Sequence, residues 1–357
     1  MKKSLLALAV LGGFAGVASA QSSVTLYGTL DLSAKYVKND GSNRRVSLSQ
    51  DGINSSQLGF RGVEDLGGGL KASFVLLSGV NADTGSANAQ FWNRRATVSL
   101  SGGFGEVRLG RDYTPTFWNN TVFDAFGTNG LGDSTHVQQL AAATFVRANN
   151  SIGYFLPSNI GGVYGQFMVA ASEGASGPTL YGTTVGANPG RYMGGRVGFA
   201  AGPFDIAGAF ATQRLDAVAG SPSQKTYNIG GSYDLGVVKL MGYFDRDTLS
   251  VAGVDAKENR GSFSAVVPLG QGEIHAGYSL SKLTGSVGGA SVSTKVDQMA
   301  LGYVYNLSKR TALYSTVSRV NNKDTTRNSV AGGTAITAAP TAGGKSTGFE
   351  AGLRHFF

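Results

Sequence analysis

The segment that decides the fold is Val24-Thr25-Leu26-Tyr27-Gly28-Thr29-Leu30-Asp31-Leu32-Ser33. Apolar side chains alternate with polar ones along it, so successive residues point to opposite faces of an extended strand. A period of two is typical of a strand between two unlike environments, such as lipid and water. The same alternation recurs in the segments 56–64, 70–76, 95–100, 106–109 and 147–156.

The connections between strand-like segments are alternately short and long. Short turns are predicted at 66–69, 101–103, 158–162, 201–203, 234–236, 269–272 and 308–310. Longer polar connections are predicted near 37–53, 80–88, 111–146, 173–190, 215–224, 248–259, 284–294 and 321–345. Seven short and eight long connections predict about sixteen strands, with both termini on the side of the short turns.

Strands of about ten residues are long enough to cross a bilayer when they are tilted. The chain ends on another strand-like segment, 349–357, and pairing it with the first strand would leave no edge exposed to lipid. We therefore predict an all-β fold, a transmembrane antiparallel up-and-down β-barrel of about sixteen strands. A soluble β-sandwich is the alternative, and the regular order of long and short connections favours the barrel. Which residues of strand 311–320 face outward is not decided by the alternation, because Leu313 and Val317 compete with Tyr314 for the outer face.

The longest interruption of the alternation is the segment Arg111–Val146. Connections of more than about fifteen residues are uncommon in compact folds and are either functional or mobile. Four aromatic residues offer apolar anchors, and three polar groups add side chains that a free surface loop does not need. These are Phe117, Trp118, Phe123 and Phe126, and Asp124, Asp133 and His136. We predict that this loop folds inward and narrows a pore.

Residues 1–20 have the pattern of a secretory signal, with Lys2 and Lys3, an apolar run and the small residues Ala18-Ser19-Ala20. We expect the barrel to comprise residues 21–357, where no apolar run is long enough to span a bilayer as a helix. Charged residues are only 15% of the chain, below the roughly 25% of ordinary globular proteins, as suits a sheet with one apolar face. The 54 glycines recur beside aromatic residues, where they would relieve crowding in a curved sheet.

The formal charge of +8, of which Lys2 and Lys3 contribute two, is compatible with binding lipopolysaccharide phosphates or with passing anions. Nucleic-acid binding is not expected, because basic residues form only pairs. The segment 66–71 lacks the Gly-Lys-Ser/Thr ending of a phosphate-binding loop. His275 and Ser279 could serve a hydrolase, but no third group completes a catalytic set. We expect no enzymatic activity, no cofactor and no tight metal site; calcium at an acidic loop stays open.

Five segments together resemble the general porins of the beta-proteobacterial outer membrane: 23–28, 55–69, 93–98, 104–111 and 352–357. The resemblance implies a homotrimer of sixteen-stranded barrels in contact with outer-membrane lipid and lipopolysaccharide. Each barrel would be a separate channel narrowed by its third external loop, and the loop Val80–Asn88 would contact a neighbour. Terminal Phe357, preceded by apolar Leu353 and Phe349, looks like the family's assembly signal, although His355 occupies one alternate position.

Alternation points five basic side chains into the lumen: Arg61, Lys71, Arg95, Arg108 and Arg147. Asp124 and Asp133 are the acids expected on the inward loop. An excess of guanidinium groups facing acids across a narrow gap would favour anions. The alternative is that some of these arginines pair with Asp31, Glu106 or Glu350. Gln57 stands where many relatives carry a basic residue, so the cluster is one charge smaller.

These observations predict an outer-membrane porin, a water-filled channel through which small hydrophilic solutes and ions diffuse passively, with a preference for anions. Two alternatives remain open at this point. A structural or adhesive barrel would depend on its external loops, and a substrate-specific porin would share the same fold.

Overall fold

The computed structural model describes residues 23–140, 145–171, 179–180, 183–184, 188–216, 223–251, 254–287, 289–331 and 338–357. Its main sheet has eighteen strands, of which sixteen form a closed barrel and two are short additions, Arg45–Gln50 and Ser86–Ala87. A separate two-stranded ribbon pairs Thr179–Leu180 with Thr183–Thr184. The predicted signal, residues 1–20, lies outside the described residues.

The barrel strands follow one another in chain order, each antiparallel to the next. Their bounds are β1 Ser23–Asn39, β2 Gln57–Gly67, β3 Leu70–Asn81, β4 Arg95–Gly102, β5 Gly105–Tyr113, β6 Arg147–Phe155, β7 Val163–Ala170, β8 Asn188–Ala201, β9 Phe204–Asp216, β10 Ser223–Asp234, β11 Lys239–Val251, β12 Val254–Leu269, β13 Gly272–Val287, β14 Ala290–Asn306, β15 Thr311–Asn322 and β16 Lys345–Phe356.

The barrel closes where the last strand meets the first. β16 pairs with β1 from Phe356 opposite Thr29 to Ser346 opposite Asn39. The other edge of β1 pairs with β2 through its first half and with the short strand Arg45–Gln50 through its second half. Closure gives every membrane-level strand two neighbours, which satisfies the backbone groups without water. The predicted all-β barrel of sixteen strands is confirmed.

The two faces of the wall differ as the alternation predicts. Leu26 and Leu30 are exposed on the outside, while Thr29, Asp31 and Ser33 are buried on the inside. The open question about 311–320 is resolved: Leu313 and Val317 face outward, and Tyr314 is buried and donates its hydroxyl to Asp31. Several exposed aromatic rings lie near the short turns and form a girdle of the kind found at membrane interfaces: Phe104, Phe199, Phe204, Tyr233, Tyr305 and Phe357.

Three predicted long connections are shorter than expected. The region 37–53 contains the strand Arg45–Gln50, and β11 and β12 reach Val251 and Val254 where a loop at 248–259 was expected. β13 and β14 likewise reach Val287 and Ala290 within the predicted loop 284–294. The error has a physical cause: above the membrane both faces of a hairpin meet water, so its polar residues lack the alternation that identifies a strand. In the part of the chain that the structure describes, no helix is long and apolar enough to span a membrane.

The connection from β5 to β6 spans residues 114–146, and its described residues, 114–140 and 145–146, fold into the barrel; we call it the inner loop. It begins with α1, Pro115–Val122, whose N-terminus is capped by Thr114, which accepts the Phe117 N–H at 3.3 Å. Proline in the first turn after a threonine cap is favourable, because its missing N–H would have no partner there. Two 3₁₀ turns follow, Gly130–Gly132 and Ser134–Val137.

Three of the four predicted aromatic anchors of the inner loop are buried: Phe117, Phe123 and Phe126. The wall makes room for two of them with glycine. A Cβ atom on Gly230 would lie 2.2 Å from the Phe123 ring, and one on Gly302 would lie 3.1 Å from Phe126. The prediction for Trp118 was wrong, because this residue is 37% exposed. One helical residue turns by about 100°, so Trp118 faces the lumen when Phe117 faces the wall.

Candidate functional site

The lumen beside the inner loop contains three adjoining cavities. The largest, about 960 Å³, is the central cavity and lies between α1, the loop residues 124–129 and the wall. A second cavity of about 560 Å³, the outer cavity, shares Ser55, Asn129 and Asp133 with it on the side of the long loops. A third of about 440 Å³, the inner cavity, shares Arg95, Tyr113 and Trp118 with it and reaches the short turn between β6 and β7. Together they outline a route along the barrel.

Hydrogen bonds between the inner loop and the barrel wall hold the loop in place. At the start of the loop, Asn119 donates to the Ala207 carbonyl at 3.1 Å and to Asn228 at 2.8 Å. In the middle, the Glu350 carboxylate accepts the Leu131 N–H at 2.9 Å. Near the end, the Glu258 carboxylate accepts the N–H groups of residues 139 and 140 at 2.9 and 2.6 Å. A loop that is hydrogen-bonded to the wall at three points has a defined position, as a constriction requires.

A second segment also enters the lumen, at residues 51–56. The Asp31 carboxylate accepts the N–H groups of Gly52, Ile53 and Asn54 at 3.2, 3.0 and 2.8 Å. Ser55 donates to Asn129 at 2.9 Å, so this inner segment contacts the inner loop directly. The constriction is therefore built from two inward segments, and Asp31 is a positioning residue of the second rather than a partner for the arginines.

One wall of the central cavity is basic. The hydroxyl of Tyr113 accepts from Arg94 at 3.0 Å and from Arg147 at 2.7 Å, and the Arg147 guanidinium also lies over the Tyr113 ring, 4.3 Å from its centroid. Arg354 reaches the same cavity and donates to Asn54 at 3.1 Å. Among the described residues, none of these three guanidinium groups has a carboxylate within 4.0 Å. These guanidinium groups can therefore interact with water and with ions that pass through the cavity.

The five predicted basic residues are not gathered at one place. Arg95 and Arg147 line the central cavity, while Arg108 lines the inner cavity. Arg61 lies over the Tyr27 ring at 5.5 Å and is absent from the residues that line these cavities, as is Lys71. Lys71 pairs with Ser101, whereas Arg95 pairs with Leu77, so the two basic groups differ by six strand residues, roughly 20 Å along the wall.

Some of the predicted arginines form ion pairs, mainly with a carboxylate that was not identified from the sequence. Buried Asp112 accepts from Arg95 at 2.7 Å and from Arg108 at 2.6 Å, and Arg108 also binds Glu106 at 2.9 Å. Arg94 was missed because it precedes the first residue of β4, where strand alternation says nothing about direction. The sequence feature that could have identified Arg94 is its position directly before Arg95.

The two predicted loop acids line the central cavity, and both also stabilise the loop itself. Asp124 accepts backbone N–H groups from Phe126 at 3.0 Å, Thr128 at 3.1 Å and Ser134 at 3.3 Å. Asp133 caps the turn Ser134–Val137 by accepting the Thr135 N–H at 2.7 Å. Burial, together with the nearby charge of Asp133, raises the pKa of the Asp124 carboxyl to about 6.

The raised pKa of Asp124 predicts a selectivity that depends on pH. Above pH 6 the carboxyl is ionised and opposes the basic wall, and below pH 6 it is neutral. The zero-current potential in a KCl gradient should therefore move towards stronger anion preference as pH falls from 7.5 to 5. Because the folded state binds this proton more tightly than the unfolded chain, the group's contribution to stability is lost as pH rises through 4 to 6.

Two variants assign this pH effect. Asp124→Asn should remove the change in potential between pH 7.5 and 5. His275, whose Nε2 lies 2.9 Å from Glu273, also lines the central cavity, so His275→Gln is the matched control and should preserve the change. An unaltered pH profile in Asp124→Asn would show that this carboxyl does not control selectivity.

His275 and Ser279 do not lie together in the described part of the lumen. His275 contacts Glu273, and Ser279 lies four strand residues away, roughly 13 Å along β13. No group of three or more His, Asp or Glu side chains among the described residues is arranged to hold a metal ion.

The sequence model of the Gram-negative porins matches residues 7–325. The chain is 39% identical to Outer membrane porin protein 32 of Delftia acidovorans, with 100% of both chains covered. It is 31% identical to an outer membrane porin protein of Bordetella pertussis, over 90% of this chain and 95% of that protein. Among solved structures, an anion-selective porin from Comamonas acidovorans superposes with a TM-score of 0.83 at 37% identity, covering 94% of this chain and 100% of the other.

Proposed function

The chain belongs to the Gram-negative porin family, and from this premise we propose that its inner loop and basic wall form an anion-preferring constriction. The protein is a porin of the outer membrane, a water-filled channel for passive diffusion. Family and fold point to a channel rather than an enzyme. The similar structure from Comamonas acidovorans is described as anion-selective, and the basic wall gives this chain a physical basis for the same preference.

One observation carries the proposal: Arg94, Arg147 and Arg354 line the central cavity without an ion-pair partner among the described residues. On the acid side, Asp124 and Asp133 are hydrogen-bonded to loop backbone, and Glu273 binds His275. Four arginines, Arg94, Arg95, Arg147 and Arg354, thus line the central cavity against three carboxyl groups. Charges that face a narrow aqueous gap between low-dielectric walls raise the local concentration of counter-ions. Chloride and other small anions should therefore enter more readily than potassium.

The proposal is tested by recording from planar bilayers. We expect stable conductance steps and, in a KCl gradient, a zero-current potential of the sign that chloride preference requires. The preference should weaken as salt rises from 0.1 to 1 M, because the Debye length falls from about 10 to about 3 Å. A folded protein that never conducts would support the structural or adhesive barrel instead, and a potential of opposite sign would overturn anion preference.

We also infer a homotrimer in lipid and lipopolysaccharide. The wall is apolar and exposed around the barrel, and the loop at Val80–Asn88 forms an exposed hairpin in which Val80 pairs with Ala87. Such a hairpin can reach a neighbouring barrel, as the family resemblance implies. We expect a mass of three chains by native mass spectrometry, and deletion of residues 82–86 should shift the population towards monomer. A monomer in the parent protein under the same mild detergent would contradict the trimer.

Phe357 is proposed to be the assembly signal. Its backbone exchanges two hydrogen bonds of 3.1 Å with Gly28, and its ring is exposed on the outer face, so an assembly factor could read it before closure. Deleting Phe357 should lower the yield of folded protein in the outer membrane several-fold and leave the unit conductance of inserted channels unchanged. Quantitative blotting of outer-membrane fractions measures the first effect.

The matched control is Phe263→Ala, which removes another outward-facing phenyl group from the middle of the wall. If both variants lose the same amount of folded protein, Phe357 is one more lipid-facing aromatic residue and not a signal.

A further inference from the structure

The inner cavity, on the short-turn side of α1, combines flat apolar surfaces with positive charge. Four aromatic rings and three guanidinium groups line its 440 Å³: Tyr113, Trp118, Phe155 and Tyr164, with Arg95, Arg108 and Arg196. Its volume falls within the roughly 300–1,000 Å³ that is usual for small-molecule sites. A lining that only passes hydrated inorganic ions has no need for so many rings.

The charge of this cavity is not balanced by its own side chains. Arg95 and Arg108 share Asp112, and Arg108 also binds Glu106. Arg196 differs, because no carboxylate of the described residues lies within 4.0 Å of it. Its Nε donates to Asn119 at 2.8 Å and one terminal nitrogen donates to Tyr164 at 3.2 Å. These two bonds fix the guanidinium while its other terminal nitrogen can still receive an anion.

The aromatic surface is equally accessible. Trp118 lies on α1 inside the barrel, away from lipid, and yet the residue is 37% exposed. Its ring lies 5.7 Å from that of Tyr113, at an angle of 49°. The neighbouring arginines already lie over rings, with Arg196 4.7 Å from the centroid of Tyr164 and Arg108 4.1 Å from that of Phe155. The cavity is therefore suited to a flat aromatic molecule that carries a negative charge.

We propose that the inner cavity is a binding station for small aromatic anions, in which the ring lies against Trp118 and the carboxylate binds Arg196. The proposal rests on the proposed anion channel and names a substrate class for it. The cavity shares Arg95, Tyr113 and Trp118 with the central cavity, so a solute that leaves the constriction reaches the station directly. Aliphatic anions would interact only with the Arg196 guanidinium, and neutral aromatic compounds would interact only with the Trp118 ring.

The test is single-channel recording in KCl with additives on the side of the short turns. Benzoate should reduce the chloride current in a saturable way, whereas acetate, cyclohexanecarboxylate and benzyl alcohol should require at least about tenfold higher concentrations for half-block. In Trp118→Leu the half-blocking concentration of benzoate should rise about tenfold, which corresponds to 1.4 kcal/mol. Each block is measured relative to the variant's own open current.

The matched control is Trp92→Leu. Trp92 is the other of the two tryptophans and packs against Phe60 and Phe91 away from the cavities, so this variant should keep the parent's block. Arg196→Gln, which keeps a donor for Asn119, should remove most of the difference between benzoate and benzyl alcohol. Equal block by benzoate and acetate, or an unchanged half-blocking concentration in Trp118→Leu, would overturn the station. The zero-current potential in KCl alone tests anion preference separately, so either proposal can fail without the other.

Discussion

Replacing Arg94 and Arg147 together by glutamate is expected to convert an anion-preferring channel into a cation-preferring one. The two arginines lie at the centre of the basic wall and meet at the Tyr113 hydroxyl, without a carboxylate partner among the described residues. The double variant changes the charge there by four units. At a distance of about 6 Å in water each unit is worth roughly 0.7 kcal/mol, so four units would change the local concentration of each small ion by about a hundredfold in the absence of salt. Because salt screens part of this effect, we expect the ratio of anion to cation permeability to fall by at least about tenfold.

The measurement is the zero-current potential of single channels in a KCl gradient, which should change sign, and more strongly at low salt. The matched control is Arg61→Glu with Lys71→Glu, which changes the charge of the inner wall equally but outside the three cavities. This control should move the potential much less and keep its sign. If both double variants shift the potential by the same amount, selectivity follows the total charge of the lumen and not the constriction.

The alternation of the sequence was sufficient to predict the faces of the wall. Burial of apolar side chains in lipid and of polar ones in the lumen is decided residue by residue, so Leu26, Leu30 and Asp31 could be assigned without knowing their neighbours. The same reasoning could not find strand ends beyond the membrane. β13 and β14 continue to Val287 and Ala290 because antiparallel pairing persists in water, where neither face needs to be apolar.

The constriction was less predictable, because alternation tells which way a side chain points but not its height along the barrel or its partner. Arg95 and Lys71 both face inward, and only the register between β3 and β4 separates them. The pairing of Arg108 with Asp112 depends on the geometry of one twisted strand. By contrast, the helix at the start of the inner loop could have been predicted, since Thr114-Pro115 is a recognisable cap followed by a first-turn proline.

The inner segment 51–56 illustrates a further limit. Asp31 was placed correctly on the inner face, and pairing with an arginine was a reasonable alternative for a buried carboxylate. The structure instead gives it three backbone donors and the Tyr314 hydroxyl. No local pattern in the sequence relates Asp31 to a loop twenty residues later, because the relation depends on the register in which Arg45–Gln50 pairs with β1.

Substituting Glu350 by alanine is expected to release the middle of the inner loop. The buried carboxylate accepts the Leu131 N–H at 2.9 Å and lies 3.4 Å from the Lys35 ammonium, which is also buried. Its removal leaves a buried charge and a buried donor without partners, at a cost of about 3–5 kcal/mol. The many backbone hydrogen bonds of the barrel should hold, so the cost should appear as local opening of the loop. Faster hydrogen exchange at Leu131 and larger current noise would report it.

Two companion variants separate the charge from the hydrogen bond. Glu350→Gln retains an acceptor for Leu131 but leaves Lys35 unpaired, and adding Lys35→Met removes that unpaired charge. We expect exchange at Leu131 to be fastest in Glu350→Ala, intermediate in Glu350→Gln and closest to the parent in the double variant. This order is expected because replacing both members of a buried ion pair costs far less stability than removing only one of them. If Glu350→Ala exchanges as slowly as the parent, the middle of the loop is held by the apolar cluster that includes Leu131, Val137 and Val330, and the carboxylate is not its anchor.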